Sequence, residues 1–398
     1  MAPILESAHI KNFKSLGDIN LSFSNLTIIA GANSSGKSCC LESLNLLKIL
    51  IKAGKTPPSR QLEDDIRIGE ETSGVTLQVS MKDSKKKDSK KIDYSINLSA
   101  QDNIEGNSIV LSENLKVGRT KVIAISKGKG LVRDEINNNN KDQLYRSTPD
   151  TVALSSTGNF GDKPITLKVS DFIKRWEFYD LDPDLIRGFA AMSSRYEGST
   201  ETLTSLGNEG HQLQSLLQQW ALEDNNQTFQ KVTDEVRRCL NVELIIADHK
   251  GKRVVKVKEN NVLEIPFENL SDGTVRMIGY CSLLYSEDIP TLIGIEEPER
   301  NLHPKILIDL ASILKRLSQK TQVIITTHSS QLLDCFTMKD IASDVSIILF
   351  KKNPESGTEA LGLDTLNKKN DGLQDWMQDF GIGSAVYHSN LIQEVLEN

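Results

Sequence analysis

The sequence predicts an α/β fold wound around a parallel sheet, and three observations predict it. Three short apolar runs, Leu26–Ala30, Thr291–Ile295 and Val323–Ile325, have the length and composition of buried strands, and each leads into residues suited to phosphate chemistry. Helical spacing follows the first run and separates the other two. Between them the apolar period changes to two from Val75 and returns to helical spacing beyond residue 171, which predicts inserted β-rich and helical segments.

In chain order, a strand is expected around Glu6–Ile10 and another at Leu26–Ala30. A helix follows from Lys37 to about Lys52, with Leu41, Leu44, Leu46, Leu47, Ile49, Leu50 and Ile51 as a broad apolar face. Gly54, Pro57 and Pro58 end it. Val75, Leu77, Val79 and Met81 alternate with polar residues, as do Tyr94, Ile96 and Leu98. The two runs read as a long β-hairpin whose tip, Lys82–Lys91, is rich in lysine. Further strands are expected near Ser108–Val117 and Lys121–Ser126, and a polar loop around Asn137–Asn140. Residues 171–240 read as helical, with Leu213, Leu216, Leu217 and Trp220 on one face. Strands are expected at Glu243–Ala247 and Val254–Val257, a helix after Ser271, and a helix carrying Ile306, Leu307, Leu310, Ile313, Leu314 and Leu317. This divides the chain into an N-terminal part of a head (1–58), a β-rich arm (59–170), a helical lobe (171–240), the second part of the head (241–345) and an α/β tail (346–398).

Composition is that of an ordinary globular protein, with 38% hydrophobic and 25% charged residues among 398. No apolar run reaches the ~18 residues of a membrane span, and the first residues do not form a signal peptide, so a cytoplasmic protein without a membrane partner is expected. Five cysteines in neither CxxC nor zinc-ligand spacing predict reduced thiols, three of them within helix-like apolar patterns. A net charge of −7 argues against bulk electrostatic coating by nucleic acid, while a local basic patch stays possible.

Gly31–Ser38, GANSSGKS, fits G-x-x-x-x-G-K-[ST] directly after a strand and at the start of a helix. Chance gives such a match in a chain of this length with a probability on the order of 1%. The loop N–H groups and the helix N-terminus make an anion cradle. Gly31, Asn33, Ser34, Ser35, Gly36, Lys37, Ser38 and Cys39 are the candidate nucleotide-contacting residues, with Lys37 on the β/γ-phosphates and Ser38 on Mg2+. Glu296 and Glu297 end the second apolar run: an acid at the first position holds Mg2+, and one at the second orients water. A simpler reading has Glu297 and Glu299 merely favouring a helix N-terminus near Pro298. His328 ends the third run, where it suits sensing of a γ-phosphate; His303 suits packing or an interface. Ser271, Asp272 and Gly273 precede a helix, where they serve equally as an N-cap or as an anion contact.

Taken in order, GANSSGKS, LSDGTVR, IGIEEPERNLHP and VIITTHSSQLLD resemble the Walker A, signature, Walker B with D-loop, and H-loop of ABC-type ATPases. The closer resemblance is to the RecF/SMC branch, which includes the overcoming-lysogenization-defect (OLD) ATPases. IKNFKSLGDINLSF resembles that branch's first hairpin, and WEFYDLDPDLIRG a segment before its signature. The resemblance is weakest over residues 59–170, and no Q-loop glutamine stands out. It implies a P-loop NTPase head of ABC type, with the arm and lobe inserted between Walker A and signature. It also implies ATP and Mg2+ bound between two heads of a homodimer or higher even-numbered homo-oligomer. Catalytic Lys37, Glu297 and His328 and metal-binding Ser38 and Glu296 would come from one subunit, and Ser271 and Gly273 from the other. Lys14 suits either a nucleotide contact or a solvated position.

Two purposes follow from the resemblance. One is an antiviral defence ATPase acting with a separate nuclease of Toprim or HNH type, since only about 70 residues follow His328 and no HNH cluster is present. The other is a DNA-repair or chromosome-binding ATPase, for which the lysine-rich tip suits DNA or simply keeps a hairpin soluble.

Overall fold

A computed structural model of the chain describes residues 3–70, 74–83, 90–101, 105–133, 135, 142–158, 163–188, 203–223, 226–249, 252–260, 262–353, 355–367 and 371–387. The lysine-rich hairpin tip between residues 84 and 89 and the Asn137–Asn140 loop lie outside them.

Along the chain the elements are β1 (Pro3–Phe13), β2 (Leu16–Ser22), β3 (Leu26–Gly31), α1 (Lys37–Ala53), α2 (Ser59–Asp65), β4 (Val75–Asp83), β5 (Ile92–Ser99), β6 (Ile109–Val117), β7 (Thr120–Ser126), β8 (Lys129–Val132) and β9 (Gln143–Arg146). Then come α3 (Ala153–Thr157), α4 (Pro164–Lys174), β10 (Trp176–Tyr179), α5 (Pro183–Arg187), α6 (Leu213–Leu222), α7 (Gln227–Leu240), β11 (Val242–His249), β12 (Lys252–Glu259) and β13 (Leu263–Pro266). The last third holds α8 (Asp272–Tyr285), β14 (Leu292–Glu296), α9 (Pro304–Ser318), β15 (Gln322–Thr327), α10 (Ser330–Leu333), α11 (Met338–Ser343), β16 (Val345–Asn353), β17 (Gly357–Gly362), α12 (Leu363–Asn367), α13 (Asp371–Phe380) and α14 (Ile382–Tyr387). Among the described residues no helix is long and apolar enough to cross a membrane.

The chain divides into two compact units, Met1–Trp176 with Ser346–Thr365, and Glu177–Val345 with Leu366–Asn398. In the first, eight strands form an antiparallel sheet in the order β2-β1-β4-β5-β6-β7-β8-β9. Its core face carries the alternating residues: Val75, Leu77, Val79 and Met81 of β4 and Tyr94, Ile96 and Leu98 of β5 are all buried. The same unit holds β3, β16 and β17 side by side in that order. Helix α1 buries Leu41, Leu44, Leu47, Leu50 and Ile51 and stops at Gly54, whose left-handed backbone returns its N–H to the Leu50 carbonyl at 2.9 Å. Ile49, expected on the apolar face, is 48% exposed, because its place on the helical wheel falls outside the stripe that packs.

In the second unit, β10, β14 and β15 lie in that order, and β14 pairs with β15 in parallel so that Glu296 faces Thr326. Strand β10 departs from the helical reading of residues 171–240. The aromatic run of Trp176, Phe178 and Tyr179 prefers an extended backbone and pairs beside β14. A small antiparallel sheet, β11-β12-β13, adds a third strand to the two expected. Glu235 of α7 joins three helices by accepting from Arg316 at 2.7 Å, from Tyr285 at 2.7 Å and from Arg238 at 2.6 Å; these partners hold its carboxyl down at about 2 against the cost of burial. All five cysteines are free, with Cys40 and Cys281 in the core and Cys39, Cys239 and Cys335 half-buried.

Among the described residues of the first unit, Glu113 is a fully buried carboxylate. Glu113 accepts from the N–H groups of Ala153 and Leu154, both at 2.7 Å, and from Tyr94 Oη at 3.0 Å, so it caps α3 from within the sheet. Burial nevertheless pushes its carboxyl up to about 6 from 4.5. Between those values the folded protein holds a proton that the unfolded chain has released, so this group's stabilisation falls as pH rises through the window. Glu113→Gln, which cannot titrate, should gain about 1.5 kcal/mol relative to the wild type between pH 4.5 and 6.5 in denaturant unfolding. A constant difference across that range would contradict the assignment.

Candidate functional site

In the first unit, β3 is buried throughout and delivers the chain into Gly31. Ala32, Asn33 and Ser34 are exposed on the loop, Ser35, Gly36 and Lys37 turn inward, and Ser38 and Cys39 are half-buried at the start of α1. Ser34 at φ +61° and Gly36 at φ +98° take left-handed conformations, which curl the loop, and the Ser35 N–H closes it on Ala32 O at 3.3 Å. Gly36 is the N-cap of α1 and has no side chain to accept from the first-turn N–H groups. Lys37, nearly buried, folds its ammonium onto the loop's own carbonyls, 2.9 Å from Gly31 O and 2.9 Å from Ala32 O.

The loop is held by partners with no local sequence signal. Thr358 of β17 donates to Ser35 O at 2.9 Å, and its hydroxyl lies 3.2 Å from Ser15 Oγ. Arg67 donates to Ser15 O at 3.2 Å and to Glu355 O at 3.1 Å, tying the β1–β2 turn to the β16–β17 turn. Lys14 is partly exposed, and its ammonium pairs with Glu42 of α1 at 2.8 Å and with Asp65 of α2 at 3.4 Å.

In the second unit the parallel register brings two predicted residues together. Glu297 and His328 each follow the end of a strand, and Glu297 Oε1 lies 2.9 Å from His328 Nδ1. Glu297 has φ +38°, a strained conformation for a residue with a side chain, and is pinned on both sides. Its N–H donates to Thr326 O at 3.1 Å, and its carbonyl accepts from Arg276 at 3.4 Å. Burial works against its charge, but His328 and Arg300 outweigh that and hold its carboxyl below the usual range. Glu296, the last residue of β14, is half-buried.

Glu299 is more than a helix-terminus acid. It is buried, accepts from Thr327 Oγ1 at 2.6 Å and from the His328 N–H at 3.3 Å, and so clamps the end of β15; burial raises its carboxyl above the usual range. His303 N-caps α9, accepting from the Lys305 N–H at 3.3 Å.

Ser271 N-caps α8 by accepting from the Thr274 N–H at 3.3 Å, and it remains exposed. A Cβ on Gly273 would come 2.8 Å from Asn301 O, so glycine lets α8 approach the loop after β14. Asp272 accepts from Arg187 and, at 2.7 Å, from Asn301 Nδ2. Arg187 also donates to Leu270 O at 3.0 Å. Thus PDLIRG, LSDGT and ERNLHP converge within this unit.

A family model for "AAA domain, putative AbiEii toxin, Type IV TA system" matches residues 26–334. Among solved structures, an SMC head bound to the C-winged helix domain of ScpA is similar over 91% of this chain and 98% of its own, at 15% identity and TM-score 0.51. The SMC head with an extended coiled coil bound to the C-terminal domain of ScpA, from Pyrococcus furiosus, is similar over 94% of this chain and all of its own, at 14% identity and TM-score 0.50. No curated protein sequence matches the chain. The fold is therefore that of a P-loop ATPase head of SMC type.

The loop packing makes one sharp demand. A Cβ on Gly36 would lie 2.3 Å from Thr358 Oγ1 and 2.7 Å from Ser15 Oγ, at a φ that side chains avoid. Gly36→Ala should cost about 1–3 kcal/mol in denaturant unfolding, and adding Thr358→Ala should recover part of it. An unchanged midpoint for the single variant would contradict this packing.

Proposed function

This chain belongs to the AAA domain family described as putative AbiEii toxin, Type IV TA system, and we propose that it binds ATP with Mg2+ and hydrolyses it at a site that two copies of the chain complete. The observation that carries hydrolysis, beyond binding, is the 2.9 Å contact between Glu297 and His328 at neighbouring ends of parallel strands. That P-loop and strand-end residues act on one nucleotide rests on the motif order and the family.

In this reading Gly31, Asn33, Ser34, Ser35, Gly36 and Cys39 shape the phosphate cradle, and Lys37 leaves the loop carbonyls to meet the β/γ-phosphates. Ser38 and Glu296 offer the hydroxyl and carboxylate oxygens that Mg2+ accepts beside phosphate oxygens and water. Among the described residues no group of three or more His, Cys, Asp or Glu side chains makes an all-protein cage. Bound Mg2+ supplies charge neutralisation on the phosphate oxygens. Glu297 accepts a hydrogen bond from the attacking water and orients it. With Nδ1 of His328 on Glu297, Nε2 would be the nitrogen available to the γ-phosphate. Exposed Ser271 and neighbouring Gly273, at the N-terminus of the 14-residue helix α8, cap that phosphate from the second copy.

For biological purpose, we favour the ATPase of an antiviral defence system that acts with a separate nuclease of Toprim or HNH type. The family description, which names a toxin of a toxin–antitoxin system, supports it. The SMC-head fold supports the alternative, a DNA-repair or chromosome-binding ATPase. Purification of the ATP-bound protein separates them: a co-purifying nuclease supports the first and bound DNA without one supports the second.

Glu297→Gln should keep ATP binding, lose roughly 100-fold or more in turnover, and accumulate as an ATP-bound dimer in size-exclusion chromatography. Normal turnover by that variant would overturn the role given to Glu297.

A further inference from the structure

The carboxylate of Glu297 has two oxygens, and each meets a different side chain. Oε1 meets His328 Nδ1 at 2.9 Å, and Oε2 meets Arg300 Nη2 at 3.3 Å. The terminal torsion of a glutamate is broad and almost two-fold, so one partner leaves the carboxylate free to swing, whereas two on opposite oxygens fix its plane. Arg300 is itself held from outside the loop. Its Nη1 lies 3.2 Å from Asp180 Oδ1, just beyond β10, and the Asp180 N–H donates to Asn208 O at 3.0 Å. Buried Arg276 braces the same pair, 3.9 Å from Asp180 Oδ1 and 3.4 Å from the Glu297 carbonyl. A cavity of about 260 Å³, lined among others by Asp180, Asp184, Asp272, Arg276 and Arg300, keeps this network open to solvent.

We infer that Arg300, anchored by Asp180, is a positioning residue that sets the orientation of the Glu297 carboxylate for hydrolysis. This deepens the proposed function and rests on Glu297 orienting the attacking water. The chain Asp180–Arg300–Glu297–His328 spans the segment after β10, the loop after β14 and the end of β15. A shift of the segment around Asp180 is therefore felt at the carboxylate. A displacement of about 1 Å at such a group costs on the order of 100-fold in rate. A pair this exposed, with side chains 39% and 50% accessible, contributes little to stability, so its value lies in geometry.

The test is steady-state ATP hydrolysis by the full chain with Arg300→Met, Arg300→Lys, Asp180→Asn and the double variant Asp180→Asn/Arg300→Met, with Glu297→Gln run in parallel. Arg300→Met should lower kcat about 10–100-fold while KM for ATP stays within about twofold, because ground-state binding belongs to the phosphate loop. Arg300→Lys, which keeps the charge, should recover part of the loss. Asp180→Asn should lower kcat about 3–10-fold alone and have no further effect in the Arg300→Met background, as expected of residues acting through one contact. Wild-type kcat in Arg300→Met, equal loss in Arg300→Lys, or additive losses in the double variant would overturn the inference. If Glu297→Gln is inactive and Arg300→Met is not impaired, only this inference fails. If Glu297→Gln turns over normally, the underlying assignment of Glu297 fails as well.

Discussion

The parallel pairing of β14 with β15 is the constraint on which the second unit's chemistry depends. Pairing Glu296 with Thr326 fixes which residue leaves each strand first, and the chain then has few options. Glu297 must turn sharply, adopts φ +38°, and is held there by Thr326 on its N–H and by Arg276 on its carbonyl. A one-residue slip would send every side chain on the strand to the opposite face and separate Glu297 from His328. Two residues later, Glu299 returns to bind Thr327 and the His328 N–H, so the two strand ends are joined by side chains as well as by the ladder. The strain at Glu297 is thus over-determined by its neighbours, the arrangement in which strained backbone persists at functional sites.

A different solution holds the first unit's loop. Here glycine takes the left-handed position at Gly36, and the loop is buttressed by Thr358 of β17, which also meets Ser15, itself held by Arg67. Gly31 and Gly36 are needed because strand and turn atoms already occupy the space a Cβ would take, at 2.4 Å from Phe350 O and 2.3 Å from Thr358 Oγ1 respectively. The shape of the loop is therefore set by contacts within the first unit itself.

Much of this was legible in the sequence because it is local. The strand–loop–helix around Gly31–Ser38, the alternation of β4 and β5, and the apolar stripe of α9 are written in residue spacing. Non-local contacts carry no such period. Nothing adjacent to Thr358 marks it as a partner of Ser35, 323 residues away, and nothing adjacent to Asp180 marks Arg300, 120 residues away. Strand β10 was hidden because a four-residue aromatic run among helices takes its identity from the neighbouring strand. Nor does anything adjacent to Lys14 mark Glu42 and Asp65 as its partners.

The central claim is that hydrolysis takes place at a site to which two copies contribute. It is tested most directly by mixing two variants that are inactive alone: Lys37→Ala, which lacks the phosphate-binding ammonium, and Ser271→Arg, which blocks the helix terminus offered to the partner. A mixed dimer of the two holds one intact composite site. The account predicts that ATP turnover reappears on mixing and peaks near equal amounts. Turnover that stays at the sum of the separate variants, or full activity from Ser271→Arg alone as a monomer, would contradict it.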